Sequence, residues 1–170
     1  GEARECIILS VAISDSVLAA GCKNRTDNGP RDFPFFLEST LLTWCLDNYR
    51  VKHNAIALFG HGTAGAMTLV ACQRGVAAIT DYVVASPVLT LIPDVVRELS
   101  EANCGLETSG GEQTARLRLA MGSLERQCKR SRESGSSQTA WLFQQVQNRN
   151  SECNLDYREL AGCNQAASAM

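Results

Sequence analysis

Histidine is among the scarcest residues in this chain. There are two, His53 and His61, and none follows residue 63. That restricts hydrolytic chemistry, because a hydroxyl nucleophile is activated by a neighbouring base, most often histidine. Metal-site spacing is missing as well: no C-x-x-C occurs and neither histidine lies near paired cysteines, so neither a metal nor a cofactor is expected. No apolar run reaches the length of about 18 residues that a transmembrane helix needs, so no direct membrane insertion is expected. The opening "GEARE" lacks the basic start and long apolar stretch of a signal peptide. Charge of neither sign dominates; with a formal net charge of −2, nothing calls for nucleic acid or an anionic membrane. The basic cluster at 126–132 has no interleaved aromatics and reads as a solvated helix end.

Cysteine, by contrast, is plentiful. Eight in 170 residues favour an oxidising compartment, while the length suits a single domain with a real core. A sequon at Asn24-Arg25-Thr26 lies in a loop-like stretch and marks Asn24 as a candidate glycosylation site. Together these features place the chain outside the cell or in the secretory route.

Local patterning alternates between two periods. "CIILSVAIS" (6–14) is short, apolar and β-branched, as in a buried strand, and turn chemistry then fills 19–34. Apolar residues recur at helical spacing over 36–49. "NAIALFG" (54–60) predicts a second buried strand, "TAGAMTLVACQ" (63–73) a helix of small residues, and "DYVVAS" (81–86) a third strand. "PDVVRELSEAN" (93–103) begins with proline and an acid, both favourable in a first helical turn. Strand–helix–strand–helix–strand order implies an α/β domain around a mostly parallel sheet. Beyond Cys104 no strand is predicted. Leu117, Ala120, Met121, Leu124 and Cys128 mark a helix face between polar linkers, and 139–147 a shorter helix. The expected organisation is a core over 1–104 and a helical, loop-rich extension of the same domain over 105–170.

Between the second strand and its helix stands "LFGHGTAGA" (58–66). A nucleophile elbow needs this context: a strand, one strained residue, then a helix, with small neighbours that let the backbones approach. Two registers are possible. Gly60 and Ala64 flank Gly62 in one; His61 and Gly65 flank Thr63 in the other. The first is physically better, since histidine is bulky for a close-packed position and threonine is ill suited to a strained backbone that glycine adopts freely. In that register the central residue has no side chain with which to attack. Thr63 is the nucleophile only if the second holds, and it has no histidine downstream. A plain glycine-rich strand-to-helix turn is the remaining alternative.

The order "CIILSVAISDSVLAAG", "LLTWCLDNYRVKHNAIALFGHGTAGAMTLVA", "ITDYVVASPVL" resembles the central part of the cholinesterase/carboxylesterase family of α/β hydrolases. Trp44, Asn48, Leu58-Phe59-Gly60 and Ala64-Gly65-Ala66 carry the resemblance. It implies a partial α/β-hydrolase-like three-layer sandwich. The family's glycine-rich oxyanion loop has no counterpart, "YRVKHNA" replaces its turn before the strand, and the serine is gone. Loss of the serine resembles the non-catalytic neuroligin- and neurotactin-like branch, whose members use the fold as an extracellular binding surface.

The resemblance therefore implies a catalytically inactive domain that works through a protein partner in adhesion or receptor–ligand binding. An active esterase, lipase or acyltransferase with an atypical nucleophile is the alternative. Cys104 and Cys128 match the family's pair of cysteines closing a loop after the elbow, and Cys153 and Cys163 form a second candidate pair in the polar tail. Cys45 and Cys72 sit on apolar helix faces and are expected to be small buried hydrophobes.

Overall fold

The computed structural model describes residues 6–12, 29–52, 55–101, 115–123, 136–149 and 154–161. Their helical part opens with α1 (Gly29–Phe36), which runs without a break through a π-helical segment (Leu37–Leu42) into α2 (Thr43–Asn48). The predicted helix thus begins earlier than position 36. Asn28-Gly29-Pro30 reads as a turn, yet proline with its fixed φ is at home in a first helical turn, and Asp32 favours the same end. Hydroxyls accompany the widened turns: Ser39 Oγ donates to the Phe35 carbonyl at 2.7 Å and Thr43 Oγ1 to the Glu38 carbonyl at 3.0 Å.

Four strands follow, β1 (Ala57–His61), β2 (Asp81–Ala85), β3 (Arg116–Gly122) and β4 (Leu155–Leu160), all parallel and in the order β1-β2-β3-β4. Between them run α3 (Thr63–Arg74), α4 (Pro93–Glu101) and α5 (Ser136–Arg149). α3 packs on β1 and β2, α5 packs on β3 and α4, and α1 packs on α3. The α/β fold class read from the sequence is correct, with a parallel sheet and flanking helices.

Two expectations are corrected. Leu117, Ala120 and Met121 belong to strand β3 and not to a helix; Leu124 and Cys128 lie outside the described residues. "RLRLAM" satisfies a period of two as well as helical spacing, and the structure uses the former. Leu117, Leu119 and Met121 are buried while Arg116 and Arg118 are exposed. Burying each such side chain contributes about 1.5–3 kcal/mol, which settles the choice in favour of the strand. The carboxyl-terminal third consequently supplies two strands, β3 and β4, where none was predicted. The second correction concerns 6–14. Its described part, residues 6–12, is not a strand and is exposed throughout. A strand is defined by a hydrogen-bonded neighbour, and no described residue pairs with it.

The core lies between the sheet and one helical layer. Leu69, Val84, Leu99, Leu117, Leu119 and Leu142 are among its fully buried members. The opposite sheet face is different. Phe59, Val83, Arg118 and Asp156 are aligned across the four strands in one register row, and none of them is buried. Parallel sheets are ordinarily covered on both faces. Among the described residues none covers this face, and ion pairs line it, with Arg118 Nη2 2.9 Å from Asp81 Oδ1 and Arg158 Nε 3.5 Å from Asp156 Oδ2.

Candidate active-site elbow

β1 ends at His61 and α3 begins at Thr63, so a single residue turns the chain. That residue is Gly62, with φ 58° and ψ −117°. No residue with a Cβ takes this conformation without strain; glycine takes it readily. The turn is fastened from both sides. Gly62 donates its N–H to the Ala85 carbonyl at 3.0 Å, and its own carbonyl accepts from Val88 at 3.1 Å and from Ala66 at 3.2 Å.

The small neighbours are required by contact. A Cβ on Gly60 would overlap the Ala64 carbonyl and the Thr68 hydroxyl, so strand and helix approach as closely as backbones permit. A Cβ on Gly65 would press on the Ala85 and Gly60 carbonyls, each at 3.2 Å. Thr68 Oγ1 donates to the Ala64 carbonyl at 2.9 Å, satisfying a hydroxyl buried in this junction. The flanking pair is thus Gly60 and Ala64, centred on Gly62, while Thr63 is the first residue of α3 in ordinary helical geometry. His61 is half-buried beside the turn, opposite Ala85 in the register, and has an interaction partner of its own.

A second strained residue lies next to the first. Ser86, directly after β2, has φ 44° and is the one non-glycine residue with positive φ among those described. It is buried, and its N–H donates to the Ala120 carbonyl of β3 at 2.9 Å. The ends of β1 and β2 therefore both terminate in left-handed backbone, at the carboxyl edge where ligand crevices form in α/β sheets. Sequence reasoning missed Ser86. The only cue was the following Pro87, which restricts the residue before it but does not specify positive φ.

Chemically, the elbow offers backbone N–H groups at the start of α3, which lack intrahelical acceptors. It offers no nucleophilic side chain at its centre. Among the described residues no cluster of histidine, cysteine, aspartate or glutamate could hold a metal. No described helix is long and apolar enough to cross a membrane. Among the described residues Cys6, Cys45 and Cys72 form no disulfide; Cys45 and Cys72 are buried, as expected, and Cys6 is exposed. Cys104, Cys128, Cys153, Cys163, His53 and Asn24 lie outside the described residues.

Neither a family model nor a curated protein matches the sequence. Solved structures do match. The siderophore hydrolase EstA from Aspergillus nidulans superposes with a TM-score of 0.62 at 22% identity, over 82% of this chain and 52% of that one. The BES protein from Bacillus cereus gives a TM-score of 0.58 at 19% identity, over 94% and 61%. Siderophore hydrolase EstB from Aspergillus nidulans gives 0.58 at 15%, over 79% and 52%.

The fold is α/β-hydrolase-like. At these identities the likeness concerns the fold, and the chain spans 52% to 61% of these three structures. Within that fold, a strand, a single strained residue and a helix packed against small neighbours are the parts of a nucleophile elbow.

Proposed function

We propose that this chain is a catalytically inactive α/β-hydrolase-like domain that acts outside the cell by binding a protein partner. In this reading it is akin to the neuroligin- and neurotactin-like branch of the cholinesterase-type hydrolases. One observation carries the loss of chemistry. Gly62 holds the backbone geometry that an elbow imposes on its nucleophile, and glycine has nothing to attack with. A retained elbow is intelligible without catalysis: its glycines and its ties to Ala85 and Val88 hold β1, α3 and β2 together. Eight cysteines and the Asn24 sequon support an extracellular setting, with Cys104–Cys128 and Cys153–Cys163 as the proposed disulfides.

Treatment of the purified chain with a fluorophosphonate probe and with short-chain p-nitrophenyl esters tests this reading. The expected result is neither covalent labelling nor turnover above buffer. A second reading, an active hydrolase, draws on the names of the A. nidulans structures. It requires an atypical nucleophile, Thr63 being the nearest hydroxyl at the turn, and stoichiometric labelling there would establish it in place of the first.

A further inference from the structure

We draw no further inference here: the strongest candidate, the exposed aromatic surface patch that Phe35, Phe36, Trp44 and Tyr49 form along and just after the α1–α2 helix, is an apolar face for which nothing in the structure shows what covers it.

Discussion

Gly62 and Ala85 are joined by a backbone hydrogen bond of 3.0 Å, the amide of the elbow donating to the last carbonyl of β2. The strained turn is thereby part of the sheet's own fastening. That explains how its geometry persists with no side chain at its centre.

Gly62→Ala should be destabilising by about 1–3 kcal/mol, the usual cost of holding a non-glycine residue in so sparsely populated a region. Thermal unfolding followed by circular dichroism measures it. Gly62→Ser should show a similar loss and remain inactive on esters. Turnover by the serine variant would reveal a base that the sequence does not disclose.

Gly60→Ala should be worse tolerated than an average core change. Its methyl group meets the backbone carbonyl of Ala64, which cannot swing away as a flexible side chain could. A loss of about 2 kcal/mol or more is expected, at the upper part of the overpacking range. A midpoint in urea unchanged from the parent protein would show that β1 and α3 separate easily.

Strain at Ser86 can be measured separately from its hydroxyl. Ser86→Gly and Ser86→Ala both remove the hydroxyl, and only glycine relieves the positive φ. The glycine variant should therefore be the more stable of the two by about 1 kcal/mol. Equal stabilities would mean that the backbone at this position relaxes in solution.

Tyr82 links stability to alkaline pH. It is buried, its hydroxyl donates to the Val76 carbonyl at 3.3 Å, and burial, reinforced by the nearby Cys72, raises its pKa well above the ordinary tyrosine range. The folded chain thus holds this proton more tightly than the unfolded one. Its contribution is complete below the unfolded value of about 10 and is lost as the pH rises beyond it. Unfolding midpoints should fall steeply above about pH 10, and Tyr82→Phe should flatten that fall while losing the hydrogen bond. An unchanged slope in the variant would assign the alkaline loss to other groups.

Much of this arrangement was legible in the sequence where one signal dominated. "NAIALFG" and "DYVVAS" became β1 and β2 because short apolar runs flanked by turn residues admit few other structures. α3 was legible from its small residues, and Gly62 could be placed at the turn by size and strain alone. β3 was misread because its arginines and leucines satisfy two periods at once, and only the presence of β2 beside it decides between them. β4 was missed for a different reason. "LDYREL" mixes charges with half-buried apolar residues, as suits an outer strand, so its composition does not declare it. Residues 6–12 fail in the opposite sense. Their strand pattern is plain, but a strand is a property of two segments, and the second one is not among the described residues.

The all-parallel sheet has a consequence for how fast the native state is reached. Among the described residues no strand pair is a hairpin. Thr80 meets Ile56 across 24 residues, Arg118 meets Asp81 across 37, and Arg116 meets Asn154 across 38. Each pairing must close a long loop before its hydrogen bonds repay the lost chain entropy, so local turns cannot nucleate the sheet. Helices such as α3 can form early, but β1 waits for β2, and β2 for β3. During that interval apolar strands are exposed without partners. Refolding from denaturant should accordingly be slow for a chain of this size, with a yield that falls as protein concentration rises.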